Sequence, residues 1–200
     1  MMIKLYSIKK AQRIISARSD LIDNICALYC LPSACLKAIM LMEIPEIDLM
    51  DLLADATVRL NWLRYTFTHR YDPERHTRNP LRKFDSSTGY GQIFSRVAIE
   101  AILFAESRGI PIFTNVPGRL SPSRPEDLQR VWLRLHRDPV FNLSCSALNL
   151  LHAAFQMTGR IDFEHYTEDE MKLIFTRYNG NVKQVSAYGE KAFQYYVNCL

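Results

Sequence analysis

Along most of the chain, apolar residues return at every third or fourth position, the spacing that places them on one face of a helix. The first such segment runs from about Ser7 to Tyr29, with a break expected near Arg18-Ser19-Asp20. Leu31-Pro32-Ser33 interrupts the pattern. Ser33 is the expected N-cap of a second helix, on which Leu36, Ile39, Met40 and Glu43 share a face. Pro45 disfavours helical geometry at Ile44 and stops that helix. A third helix is expected from Asp48 to Thr68, with Leu49, Leu52, Leu53, Ala56, Leu60 and Leu63 as its apolar side. Residues 70–91 lose the period. Asp72-Pro73, Asn79-Pro80 and Gly89-Tyr90-Gly91 read there as loop and turn, with room for a small hairpin.

Helix resumes from about Ile93 to Ser107, closed by Gly109. After a loop from Pro111 to Pro122, Ser123 is the expected cap of a helix whose first turn holds Pro125, Glu126 and Asp127. Asp138-Pro139 opens another, ended by Gly159 after Thr158. Thr167 and Glu170 have capping-box spacing at the start of a helix that stops at Asn179-Gly180, and a last helix is expected from about Val182 to Asn198. The pattern predicts a mainly α single domain over residues 1–200. It is α+β only through one minimal β or irregular stretch between the third and fourth helices.

Composition narrows the class more than the fold. The chain has 200 residues, 48 % hydrophobic and 23 % charged, an ordinary globular balance that can bury a core without staples. Its five cysteines (Cys26, Cys30, Cys35, Cys145 and Cys199) are odd in number and lack zinc-site spacing, so they read as buried free thiols. No metal or cofactor is expected. A net charge of +4 suits an anionic partner such as a bacterial wall, a membrane surface or nucleic acid, and equally a slightly basic solvated surface. The most apolar stretch, Leu31 to Ile47, contains Lys37, Glu43, Pro45 and Glu46 and is too short and polar to span a bilayer. Lys4 and Lys9-Lys10 break the apolar start, which therefore does not read as a signal peptide. Location stays open among a phage-encoded protein, one exported by another route, and an excised domain.

Three pieces carry candidate chemistry. Glu43 lies on the apolar face of its helix, where desolvation and the negative end of the helix dipole both favour the protonated acid. A carboxylic acid kept protonated near neutral pH suits protonation of a glycosidic oxygen; an exposed Glu at a frayed helix end is the plainer alternative. The second piece is Ser86-Ser87-Thr88-Gly89-Tyr90-Gly91-Gln92-Ile93, whose glycines permit tight turns and close approach of a ligand, and whose Gln92 offers a donor and an acceptor. Its spacing is not that of a phosphate-binding loop. The third is Tyr178-Asn179-Gly180, followed by Tyr188 and by Tyr195-Tyr196. Asn-Gly is ordinary helix-stop chemistry, and the tyrosines either fill the core or offer faces to sugar rings.

Taken together and in order, these pieces resemble the lysozyme superfamily, nearest to goose-type lysozymes and lytic transglycosylases. The resemblance covers residues 25–197 and includes Asn142-Leu143 with the small residues to Ala147, similar to the family's central helix. The family usually carries Glu-Ser at the catalytic position, whereas Ile44-Pro45 follows Glu43 here, and the gap from Glu43 to the Gly-rich turn is long. The resemblance implies a monomeric, lysozyme-like glycosidase that cleaves the β-1,4 bond between N-acetylmuramic acid and N-acetylglucosamine in peptidoglycan. Glu43 would be the general acid, and Tyr178 would orient it or contact the sugar. Ser86, Gly89, Tyr90, Gly91, Gln92, Ile93, Asn179 and Tyr195 would hold substrate. A hydrolase needs a second carboxylate, for which Asp85 is the candidate with Asp48 and Asp72 as rivals; a lytic transglycosylase needs none. Two other readings stand beside it. One is a helical nucleic-acid-binding or regulatory module using the Arg-rich stretch Arg64 to Arg82, although no nucleic-acid partner is expected. The other is a lysozyme-like domain that binds glycan without cutting it.

Overall fold

The computed structural model describes residues 4–71, 84–112, 119–180 and 183–199. The chain is mainly α, as the pattern predicts. The helices among the described residues are α1 (Ile8–Ser16), α2 (Ser19–Leu28), α3 (Ser33–Glu43), α4 (Leu49–Thr68), α5 (Ser95–Ser107), α6 (Pro125–Arg137), α7 (Pro139–Thr158), α8 (Glu168–Asn179) and α9 (Ala187–Cys199). A 3-10 turn over Ile44–Glu46 follows α3, because Pro45 cannot continue it. The first segment breaks between Ser16 and Ser19, near the expected place. The described residues show only two isolated β-bridges, Lys4 with Asp48 and Thr88 with Ile93. The second closes the small hairpin.

Two expected caps are displaced by one residue. Pro32, not Ser33, precedes α3, and Arg124, not Ser123, precedes α6. Ser33 instead accepts from Lys37, and the Ser123 hydroxyl pairs with that of Ser121. Asp138 and Thr167 cap as expected, Thr167 through a full capping box with Glu170. The last helix begins at Ala187; residues 181 and 182, where it was expected to start, lie outside the described residues.

Helix α7 is the axis of the molecule, buried on all sides from Phe141 to Leu151. Its small residues Ser144, Cys145, Ser146 and Ala147 let neighbouring backbones come close. Helices α5 and α8 pack along it, α6 covers α5 and α7, and α9 bridges α8 to α3. Gly189 explains how near α9 lies to α8: a Cβ there would stand 2.1 Å from Thr176 Oγ1 and 2.4 Å from the Lys172 carbonyl. The five cysteines are free; Cys26, Cys35 and Cys145 are buried, Cys199 is half-buried and Cys30 is exposed. Burial pushes the Cys26 thiol up to about 12.

Helix α4 corrects the expectation most. Its buried residues are Val58, Trp62 and Tyr65, while Leu49, Leu52, Leu53, Leu60 and Leu63 face outward. Aromatic area decides this. Trp62 contacts Tyr65, Tyr71 and Phe84 at ring centroids of 5.7, 6.0 and 4.8 Å, and large rings bury more area per side chain than leucines do. Polar bonds pin the same side: the Tyr65 hydroxyl donates to Glu126, and Gln129 Nε2 donates to Thr66 Oγ1 at 3.3 Å.

Candidate active site

Glu43 is the last residue of α3. Residues 34–36 and 38–42 before it are buried, so α3 delivers a carboxyl from the core directly to a cleft of about 420 Å³. The cleft is lined by Glu43, Ser87, Gln92, Ile93, Phe94, Asn149, His152 and the Arg177–Gly180 corner, among others. Tyr188 Oη, from α9, donates to Glu43 Oε1 at 2.5 Å. Desolvation pushes the Glu43 carboxyl up to about 7; the Tyr188 hydrogen bond works against this, and the nearby negative charges of Glu46 and Asp51 work with it. The site therefore holds an acid that is largely protonated below neutrality and opens onto a ligand-sized space.

The Gly-rich turn contributes Gln92 and its flanks Ser87 and Ile93 to the wall, and α7 shapes it. Asn142 Oδ1 accepts from Gly91 N at 3.0 Å, and Asn142 Nδ2 donates to the Thr88 carbonyl at 2.9 Å. Gly89 has φ +74, and a Cβ on it would overlap the Asn142 amide at 2.2 Å. A Cβ on Gly91 would lie 1.9 Å from Ser146 Oγ. Both glycines are thus required by contact with α7. Gln92, at φ 44, closes the turn with its side chain: Nε2 donates to the Gly89 carbonyl at 2.8 Å and Oε1 accepts from Ser87 at 3.2 Å.

Tyr178 does not bond Glu43. Its hydroxyl donates to the Gly91 carbonyl at 2.8 Å, so it clamps the turn from α8 while its edge lines the cleft. Burial pushes this phenol well above its ordinary value. Of the two roles expected for Tyr178, orienting Glu43 falls to Tyr188, while Tyr178 keeps a place on the cleft wall. The Ala187-Tyr188-Gly189 triplet carried the signal, since a glycine inside a helix marks close packing. Phe94 was also missed: it is 45 % exposed on the cleft wall.

Asp85 lies elsewhere. Its two oxygens accept from Ser95 N at 2.9 Å and Arg96 N at 3.2 Å, so it satisfies the first N–H groups of α5. Burial raises this carboxyl to about 6 although both backbone bonds lower it. Asp48 caps α4, accepting from Met50 N at 2.7 Å and Asp51 N at 3.1 Å. Asp72 lies outside the described residues, as do residues 73–82 of the Arg-rich stretch. The second carboxylate that does line the cleft is Glu100 of α5. Of the expected substrate residues, Gln92, Ile93 and Asn179 reach the cleft beside Glu43 and Tyr178. Gly89 and Tyr90 line a smaller groove of about 230 Å³ that shares Gln92 with the cleft. Ser86 is buried, donating to Asp55 at 2.6 Å and accepting from Trp132 Nε1 at 3.1 Å. Tyr195 belongs to neither space; Lys191 lies over its ring. Among the described residues no group of His, Cys, Asp and Glu is placed to hold a metal ion.

No family model matches the chain, and no curated protein or solved structure matches it.

Proposed function

We propose that this chain has a lysozyme-like fold and cleaves the β-1,4 bond between N-acetylmuramic acid and N-acetylglucosamine in peptidoglycan, with Glu43 as the proton donor. The observation that carries the reading is the Glu43 carboxyl itself, raised to about 7 by desolvation at the mouth of a ligand-sized cleft. The braced turn supports it by fixing Ser87, Gln92 and Ile93 on the cleft wall, and the exposed Phe94 ring by offering a stacking face to a sugar.

The reaction begins when Glu43 donates its proton to the glycosidic oxygen as the C1–O bond breaks. Glu43, now a carboxylate, takes the proton of the muramic-acid 6-hydroxyl as that oxygen bonds C1. The products are a 1,6-anhydro end and a free 4-hydroxyl, and one carboxyl serves as acid and then base. This lytic transglycosylase course needs no second carboxylate, and the expected candidates Asp85 and Asp48 cap helices instead of lining the cleft. Tyr188 keeps Glu43 oriented through both halves.

Purified peptidoglycan digested with the protein and read by mass spectrometry tests this. Anhydro-muramyl ends are the expected product. Reducing ends would show hydrolysis and bring Glu100 forward as the second carboxylate. Wall binding without any product would leave only the glycan-binding reading, and neither binding nor product would remove the proposal.

A further inference from the structure

The outward face of α4 is used by neither the core nor the cleft. Leu49, Leu53, Leu60, Leu63 and Phe67 are 46, 52, 66, 56 and 78 % exposed, and Ala56 completes the row. At 3.6 residues per turn these side chains fall within about 40° of one line along the helix. The stripe is therefore straight and roughly 30 Å long for a helix of this length. A single exposed leucine is ordinary, but an unbroken apolar row marks a contact surface.

Charge on the same helix says what kind. Its two acids are turned away from the stripe and engaged: Asp51 completes the capping box with Asp48, and Asp55 accepts from Ser86 and Thr88 and pairs with His136. The exposed cations Arg59 and Arg64 flank the stripe, one on each edge, and the helix has no acid on that side. An apolar stripe whose only charged neighbours on the helix are arginines suits contact with the headgroup layer of an anionic bilayer. A second copy packed through the same face would instead bring Arg59 and Arg64 against like charges, with no acid on the outer face of α4 to answer them. No helix among the described residues is long and apolar enough to cross a membrane, so the contact lies on the surface.

We propose that the outer face of α4 docks the protein on an anionic lipid surface. Leu53, Leu60, Leu63 and Phe67 enter the boundary between headgroups and acyl chains, and Arg59 and Arg64 meet lipid phosphates. The same helix also lines the smaller groove, through Asp51 and Asp55 and through Leu52 at the margin of the stripe.

The test is flotation of the full chain with phosphatidylcholine vesicles, with and without phosphatidylglycerol. Binding is expected to rise at least about tenfold with the anionic lipid and to fall with salt. The Leu60→Ser/Leu63→Ser/Phe67→Ser variant, altered only at exposed positions and checked by circular dichroism, is expected to lose binding. Arg59→Gln/Arg64→Gln is expected to lose the preference for anionic lipid. Absence of vesicle binding by the wild type, or binding unchanged by the triple serine variant, overturns the proposal. A concentration-dependent dimer in sedimentation velocity that the same variant abolishes also overturns it and assigns the stripe to a second copy. Digestion of lipid-free sacculi by the variant reads the glycosidase proposal separately, and it is expected to stay at the wild-type rate.

Discussion

Glu43 and Asp85 are both carboxyls at helix ends, and burial raises both, to about 7 and about 6. Their surroundings differ. Asp85 precedes the N-terminus of α5 and gives both oxygens to backbone N–H groups, where negative charge is favoured. Glu43 ends α3, where the helix dipole opposes negative charge; a phenol holds one of its oxygens, and the carboxyl opens onto the cleft. A raised pKa therefore does not by itself separate a carboxyl committed to the fold from one open to a ligand. The hydrogen-bond partners do, because they show whether the carboxyl is committed to the fold.

The comparison can be broken in several ways. The largest effect is expected at Gly91, where the turn presses against α7. Gly91→Ala puts a methyl group 1.9 Å from Ser146 Oγ and is expected to lower stability by about 3 kcal/mol or more by denaturant unfolding. An unchanged midpoint would mean the turn is not pressed against α7. Next, Asp85→Ala removes a helix cap and is expected to cost about 1–2 kcal/mol, with wall-cleaving activity per folded molecule retained. Loss of activity in a folded Asp85→Ala protein would return Asp85 to the reaction.

Glu43→Gln is expected to do the opposite to stability, and only at higher pH. Below about 4.5 the carboxyl is protonated in both folded and unfolded chains, and the substitution is nearly neutral. As pH rises toward 7, the unfolded chain ionises first and the wild type loses stability that glutamine does not lose. Urea unfolding at pH 4 and pH 8 should show the variant gaining about 1–2 kcal/mol at the higher pH only, a discounted share of the shift because Glu43 is partly open to the cleft. The smallest effect is expected at Tyr188. Its hydrogen bond lowers the Glu43 pKa, so Tyr188→Phe should move the alkaline limb of the pH–rate profile upward by less than about one unit. A downward shift would contradict the assigned partner.

Helix existence was legible because Pro45, Gly109, Gly159 and the Thr167–Glu170 box are local signals. Which face of α4 is buried was not, because leucines outnumber aromatics on that helix and only the distant Phe84 and Glu126 reveal that Trp62 and Tyr65 face inward. The place of Glu43 on its helix face and the Gly-rich turn follow from local spacing and composition. The exchange of roles between Tyr178 and Tyr188 does not, because it depends on the separation of α8 from α9, which Gly189 sets. Asp85 looked like chemistry because a carboxylate before a Gly-rich turn and a carboxylate before a helix are the same residue here, and the sequence does not show which of them its oxygens face.

The central claim is that Glu43 donates the proton. The most direct measurement is the rate of soluble muropeptide release from purified peptidoglycan by wild type and Glu43→Gln at pH 5 to 9. The wild-type rate should fall as pH rises through about 7, and the folded variant should be at least about 10²-fold slower at every pH. A Glu43→Gln protein that releases muropeptides at the wild-type rate would contradict it.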